Sequence, residues 1–95
     1  MDIYFGNRTY RITLNESNWH HIAFTKSDKI ITTYVDGVPT SYEFTGTSPG
    51  YTNSQGLGIG CFWYSGGALY PFYGRLSDFR IYATALSAAA VKELY

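Results

Sequence analysis

The seven acidic residues of this sequence are spaced so that no two of them share one face of a strand at short range. Hydrolysis of a glycosidic bond needs two carboxylates at a fixed separation, and residues two or four apart on a strand point to the same side. No pair has either spacing among Asp2, Glu16, Asp28, Asp36, Glu43, Asp78 and Glu93. Only acids distant in sequence could meet in space. Because Ser-His-Asp and nucleotide-loop patterns are also lacking, we predict that the chain is not an enzyme.

Two adjacent histidines, His20 and His21, are the remaining candidates for acid–base or metal chemistry. Successive side chains of a strand point to opposite faces, so the two imidazoles cannot chelate one metal ion together. No nearby His or Cys completes a site. We therefore expect one ring to pack under the sheet and the other to form a hydrogen bond outside it.

An aromatic cluster between residues 62 and 73 is the most informative feature for binding. Rings with few charges around them suit sugar stacking or a protein interface, because each ring offers a large contact area with a polar tip. We expect about half of the cluster to fill the core. The predicted ligand-binding side chains are Trp63, Tyr64 and Tyr70, together with Tyr51 in the preceding loop.

Two sequons place Asn7 and Asn15 at turn-like positions, where each could carry a glycan if the protein enters a eukaryotic secretory route. The single Cys61 lies in a strand-like run, and we expect it to be a small buried hydrophobic residue. It cannot form a disulfide within the chain.

Composition excludes some partners. Seven basic residues balance seven acidic ones, so no net field favours nucleic acid or an anionic membrane. No apolar run approaches the roughly 20 residues that span a bilayer, and residues 1–2 do not begin a signal peptide. The 95 residues, 19% of them aromatic, favour a single all-β domain over residues 1–95 with a modest core.

The first half of the chain reads as an antiparallel meander. Gly6-Asn7 separates two β-prone runs, and Asp36-Gly37 is a strong hairpin signal between two more. Strands are predicted over 19–25, 30–35 and 40–45, with a turn at 26–29. Trp19 opens the most apolar strand, so we expect it to be buried and essential to folding.

The second half contains a loop at 46–56, a short strand over 57–61, an aromatic loop over 62–74 with a glycine hinge, and a strand over 75–82. In that last strand Asp78 and Arg80 share a face, which predicts a structural ion pair or a hydrogen bond from Asp78 to a turn. Ser87 is predicted to cap a two-turn helix over 88–94.

Four blocks in this order resemble the laminin G-like (LamG-like) jelly-roll domains of the concanavalin A-like lectin/glucanase superfamily. The blocks are WHHIAFT at 19–25, YVDG at 34–37, LGIG at 57–60 and FYGRLSDFRIYATALS at 72–87. The resemblance implies an antiparallel β-sandwich with a short C-terminal helix. One departure is at the helix, where Ala90 follows Ser87 in place of the glutamate of a capping box.

A second departure is length, because the family's jelly roll is normally half as long again or more. The resemblance therefore implies a truncated sandwich that lacks N-terminal strands, one of which pairs with the strand matching 75–82. Either a partner supplies them or the hairpin at 2–14 substitutes. Some LamG-like domains bind calcium at the sandwich rim, which makes Asp36 the candidate metal ligand, although its place in an Asp-Gly turn explains it without one. We expect no other cofactor.

The sequence thus supports two functions. The first is a non-catalytic module that binds carbohydrate or protein through aromatic rim loops, on a secreted, cell-surface or virion protein. The second is a structural subunit, a homo-oligomer or filament completed by strands from a neighbouring chain, or part of a larger chain. A degraded glycosidase is a distant third.

Overall fold

The structure, a computed structural model, describes residues 2–5, 8–12, 14, 17–43, 58–64 and 67–95. Within these ranges every strand pairing is antiparallel, which confirms the predicted all-β fold with a short C-terminal helix. The elements are β1 (Asp2–Phe5), β2 (Arg8–Arg11), β3 (Ile22–Ser27), β4 (Ile30–Val35), β5 (Val38–Glu43), β6 (Phe62–Tyr64), β7 (Gly67–Leu69) and α1 (Ala88–Leu94). No helix in the described part of the chain is long and apolar enough to cross a membrane.

The chain divides into two compact units. Unit 1 comprises Met1–Pro49 and Tyr82–Tyr95, and unit 2 comprises Gly50–Ile81. Unit 1 contains the hairpin β1–β2, the sheet β3–β4–β5 and the helix α1, whereas unit 2 contains the hairpin β6–β7.

The hairpin β1–β2 follows the sequence prediction. Phe5 pairs with Arg8 and Asp2 pairs with Arg11, so the two residues between the strands are Gly6-Asn7, as the β-prone runs on either side predicted. Ile12, directly after β2, is buried.

The sheet β3–β4–β5 has a continuous register, from Ile22↔Val35 to Ser27↔Ile30 and from Ile30↔Glu43 to Val35↔Val38. Both connections are two residues long. The strand predicted over 19–25 therefore begins and ends later, and the four-residue turn predicted at 26–29 is shorter, because the ladder continues to Ser27.

Trp19 lies outside that ladder and is 66% exposed, so the prediction that it is a buried core residue was wrong. An indole three residues before the first paired position has no sheet face to pack into. The apolar composition of the run 19–25 marked the strand correctly, but it did not show which residue begins the ladder.

The buried apolar side chains of unit 1 lie on β4 and α1 and at Ile12 after β2. Ile31 and Tyr34 on β4 are buried with Val91 of α1. Thr33 is also buried, and its hydroxyl donates to the carbonyl of Thr40 at 3.2 Å, so this buried polar group is satisfied.

The helix α1 begins where Ser87 predicted it. Ser87 is extended (φ −67°, ψ 159°), and its Oγ accepts a hydrogen bond from the Ala90 amide at 3.1 Å. This satisfies one of the free amides of the first turn. Lys92 in the last turn complements the negative end of the helix dipole.

Unit 2 departs from two strand predictions. Residues 58–61 are not a strand. The pairing starts at Phe62↔Leu69, so the first part of the predicted aromatic loop is the hairpin β6–β7, whereas residues 70–74 form no strand. Residues 75–82, all of which the structure describes, form no strand either. Alternation of apolar residues indicates a strand, but a ladder also needs a neighbouring backbone.

Candidate functional site

A cluster around Asp36 in unit 1 connects the residues that the sequence offered for acid–base or metal chemistry. Nδ1 of His20 lies 2.7 Å from Oδ2 of Asp36, and the amide of His21 donates to Oδ1 at 2.9 Å. The Asp36 amide in turn donates to the carbonyl of His21 at 2.9 Å. Since an ionised carboxylate only accepts, the Nδ1 of His20 carries the shared proton.

These hydrogen bonds hold the pKa of the Asp36 carboxyl below its usual value, first through His20 and second through the His21 amide. Asp36 also has φ 51° and Gly37 has φ 79°. Positive φ at both central residues matches the two-residue hairpin turn that Asp-Gly predicted. Asp36 thus joins the start of β3 to the β4–β5 turn.

His21 and Gly37 face the C-terminal end of α1. The ring centroids of His21 and Tyr95 are 6.1 Å apart. A Cβ placed on Gly37 would lie 3.4 Å from Cδ1 of Tyr95 and 3.5 Å from Cγ of Lys92. The two histidines have different environments although both precede β3, so strand periodicity is not the cause: one pairs with a carboxylate and the other lies beside an aromatic ring.

The hydrogen bonds of this cluster occupy the Asp36 carboxylate. Both oxygens of Asp36 already accept hydrogen bonds, and the residues described by the structure contain no group of three or more His, Cys, Asp or Glu that could hold a metal ion. Nδ1 of His21 is buried without a hydrogen-bond partner in this part of the chain. The cluster orders a turn and a helix end.

A different kind of surface lies on unit 2, where glycines shape the chain. The Phe72 amide donates to the carbonyl of Gly60 at 2.6 Å. A Cβ on Gly60 would lie 3.0 Å from Cδ1 of Leu76, and one on Gly74 only 2.8 Å from the ring of Phe72. The Phe72 ring thus lies over Gly74, and the hydrogen bond from the Phe72 amide holds residue 72 next to Gly60.

Two tyrosines project from this stretch. Tyr70 is 73% exposed and Tyr73 is 90% exposed. Tyr70 also has φ 51°, a left-handed backbone that is uncommon for a residue with a bulky side chain. Each ring is presented to solvent directly after the hairpin β6–β7.

Aliphatic and aromatic residues continue this exposed surface along the chain. Leu76, Phe79 and Ile81 are each more than half exposed. Between them Asp78 and Arg80 form a two-pronged ion pair, with Nε–Oδ1 and Nη2–Oδ2 distances of 2.8 Å, which confirms the predicted pair. We call the set Tyr70, Tyr73, Leu76, Phe79 and Ile81 the 70–81 surface.

The five side chains of the 70–81 surface are exposed and lie close together in sequence. Exposed apolar side chains that form a contiguous patch mark interaction sites. All buried apolar side chains that the structure describes are in unit 1, at Ile12, Ile31, Tyr34 and Val91.

The predicted binding residues are distributed unevenly over the described structure. Tyr70 is exposed, as predicted. Trp63 and Tyr64 lie in β6, where Trp63 pairs with Ala68 and Tyr64 with Gly67, and not in a loop. Tyr51, Asn7 and Asn15 lie outside the described residues.

Tyr73 was missed as a binding candidate because half of the aromatic cluster was assigned to the core. The signal was the following Gly74, which lets the neighbouring Phe72 ring fold over the backbone and leaves Tyr73 outside.

Comparison with known proteins gives one family and one similar structure. Residues 4–92 match the laminin G type family model described as concanavalin A-like lectin/glucanases superfamily. No curated protein matches. The chain is similar to the crystal structure of an S-layer domain-containing protein (residues 221–444) from Clostridium thermocellum, with 30% sequence identity and a TM-score of 0.68. The match covers 92% of this chain and 43% of that one, less than half of its length.

Proposed function

Because the chain belongs to the concanavalin A-like lectin/glucanase superfamily, we propose that it is a non-catalytic surface module that binds carbohydrate or protein through the 70–81 surface. The observation that carries this proposal is the exposure of Tyr70 and Tyr73, at 73% and 90%. A tyrosine in solvent offers a flat apolar face and a hydroxyl, which is the combination that stacking on a sugar or an interface uses.

Two of the acidic residues that the structure describes support the absence of catalysis. Asp36 is engaged by His20 and the His21 amide, and Asp78 is paired with Arg80. Both carboxylates therefore have local structural partners. A glycosidase needs one carboxyl group held protonated beside a second that is ionised, whereas the hydrogen bonds to Asp36 favour its ionised form.

A location outside the cell is part of the proposal. The similar structure is described as an S-layer domain-containing protein, and we carry over from it only a place at the cell surface. The similar structure gives no support for the two other locations, a secreted protein or a virion protein. Calcium at Asp36 would require displacing His20, so we propose no role for it.

The test is a glycan array followed by calorimetric titration of the sugars that bind. We expect Tyr70→Ala and Tyr73→Ala each to weaken binding about tenfold or more. Tyr73→Ala should leave the melting temperature unchanged, because Tyr73 is 90% exposed. Trp63→Ala and Tyr64→Ala probe β6 in the same assay. Tyr95→Ala is the matched control, since Tyr95 is also an exposed tyrosine but lies on unit 1. Equal affinity in the Tyr70 and Tyr73 variants would contradict the proposed surface.

A second candidate function is self-assembly, favoured by the exposure of Leu76, Phe79 and Ile81. The aliphatic side chains of Leu76 and Ile81 gain from removal from water and have no group that recognises a sugar, so this part of the surface fits another protein chain. Sedimentation velocity across a hundredfold concentration range separates the candidates. An oligomer without glycan binding supports assembly, and a monomer that binds glycan supports recognition.

A further inference from the structure

The two central residues of the β4–β5 turn, Asp36 and Gly37, form the only Asp-Gly or Asn-Gly step in the sequence. An aspartate before glycine isomerises readily, because glycine has no side chain to shield its backbone nitrogen from the neighbouring carboxyl group. The nitrogen of Gly37 can then attack Cγ of Asp36 and close a five-membered succinimide ring. The sequence therefore marks this turn as a site of spontaneous backbone modification.

Isomerisation takes two steps that need only water. In the first step the bond between the Gly37 nitrogen and Cγ forms, the nitrogen loses its proton, and the carboxyl hydroxyl leaves as water. In the second step water opens the ring at one of its two carbonyl carbons. Opening at the former side-chain carbon restores aspartate. Opening at the former main-chain carbon gives isoaspartate, in which the backbone runs through Cβ and Cγ of Asp36.

We propose that Asp36-Gly37 is a latent isoaspartate site, which the fold keeps unreacted through the two hydrogen bonds to the Asp36 carboxylate. Nδ1 of His20 donates to Oδ2 at 2.7 Å, and the amide of His21 donates to Oδ1 at 2.9 Å. Both bonds direct the carboxylate toward the residues that precede β3. Ring closure requires the carboxyl group to turn toward the Gly37 nitrogen, which breaks both hydrogen bonds.

The backbone of the turn also opposes ring closure. Asp36 and Gly37 have φ 51° and 79°, which matches a type I′ turn, where ψ of the first central residue is about 30°. At that ψ, Cβ of Asp36 and the nitrogen of Gly37 lie on nearly opposite sides of the Cα–C bond, whereas the ring needs them on the same side. The Val35↔Val38 pair and the 2.9 Å bond from the Asp36 amide to the His21 carbonyl hold the turn in this conformation.

The protonation state of Asp36 adds to this resistance. The carboxyl group reacts in its protonated form, because water is a far better leaving group than an oxide ion. Hydrogen bonds, first from His20 and second from the His21 amide, hold the pKa of the Asp36 carboxyl below its usual value. Above the pKa, the protonated fraction falls about tenfold for each unit by which the pKa is lowered. The same two bonds therefore also reduce the reactive form.

Isomerisation would change the contacts of the turn. It adds one carbon to the main chain and moves the free carboxylate to Cα of residue 36. A Cβ on Gly37 would lie 3.4 Å from Cδ1 of Tyr95 and 3.5 Å from Cγ of Lys92, so the turn packs closely against the end of α1. We therefore expect the isoaspartyl chain to lose the bond to His20 and to melt at a lower temperature.

Peptide mapping after prolonged incubation at neutral pH measures the reaction. Aspartyl and isoaspartyl peptides have equal mass, but they separate by chromatography and fragment differently under electron transfer. We expect the folded wild type to isomerise at Asp36 at least about tenfold more slowly than the same chain in urea, as the loss of even one charge-assisted hydrogen bond implies. Asp28 also lies in a two-residue turn but precedes Lys29, so it is the internal reference and should react far more slowly in urea.

Two neighbouring histidines provide the test and its matched control. His20→Ala removes one donor, and we expect the folded variant to isomerise about tenfold faster than the folded wild type. His21→Ala removes the adjacent imidazole but keeps the amide that donates to Oδ1, so its rate should equal that of the wild type. His20→Asn places an amide donor near the position of Nδ1 and should restore most of the slow rate. Thermal melting checks that each variant is folded at the incubation temperature, and in urea all four chains should react at one rate.

Each outcome decides the proposal. A folded wild type that isomerises as fast as the chain in urea overturns it, and this comparison needs no variant. Equal acceleration by His20→Ala and His21→Ala also overturns it, since general loosening of the turn would then set the rate. Slow reaction in the folded wild type, acceleration by His20→Ala alone and recovery with His20→Asn support it.

Discussion

The core of unit 1 can be tested at two neighbouring isoleucines of β4 that point to opposite faces. Ile31 is 0% exposed, whereas Ile30 is 46% exposed. Replacing a buried isoleucine with valine removes one methylene group and typically costs about 0.5–1.5 kcal/mol of stability. For a domain of this size each kcal/mol lowers the melting temperature by about 4–8 °C. We therefore expect Ile31→Val to melt about 2–12 °C below the wild type.

The matched control is Ile30→Val, which makes the same chemical change at an exposed position at the start of the same strand. Surface substitutions usually change stability by less than about 0.5 kcal/mol, so its melting temperature should move by no more than a few degrees. Valine is preferred to alanine at position 31, because the alanine change costs about 2–5 kcal/mol. That loss could exceed the whole stability of a small domain.

Thermal unfolding followed by far-ultraviolet circular dichroism, with urea titration as a second probe, measures both variants. The two probes should rank the variants in the same order. If Ile30→Val loses as much stability as Ile31→Val, or more, then the sheet does not bury the face that carries Ile31. The assignment of the core would then be refuted.

Three further predictions concern unit 1. Hydrogen bonds lower the pKa of the Asp36 carboxyl in the folded state. The contribution of Asp36 to stability is therefore complete above its unfolded pKa and is lost as the pH falls through its folded pKa. The difference in melting temperature between the wild type and Asp36→Asn should close in that acidic range. Gly37→Ala should lower the free energy of unfolding by about 1–2 kcal/mol, because φ is 79° there. Gly37→Asn should lower it less. Equal losses of stability in urea titration would contradict the argument from backbone conformation. Trp19→Ala should change stability by less than about 0.5 kcal/mol, since Trp19 is mostly in solvent, and cooperative unfolding at a much lower temperature would restore its core assignment.

Local signals were reliable at most places where the chain satisfies its own backbone within a few residues, although the hairpin β6–β7 was predicted as a loop. The hairpins flanking residues 6–7 and at Asp36-Gly37, and the helix capped by Ser87, each follow from a short motif whose hydrogen bonds close nearby. The antiparallel fold and the family follow from the order of such motifs. The pairing of Asp78 with Arg80 was likewise predicted, since it joins residues two apart.

Tertiary structure decided what depends on a distant neighbour. Composition marked Trp19 as core, but burial depends on whether a sheet face covers a residue, and the ladder starts only at Ile22. Alternation marked 75–82 as a strand, but a strand exists only where another backbone accepts and donates hydrogen bonds. The link between His20 and Asp36 is also tertiary, because sixteen residues separate them and only the register of β3 with β4 brings the two side chains together.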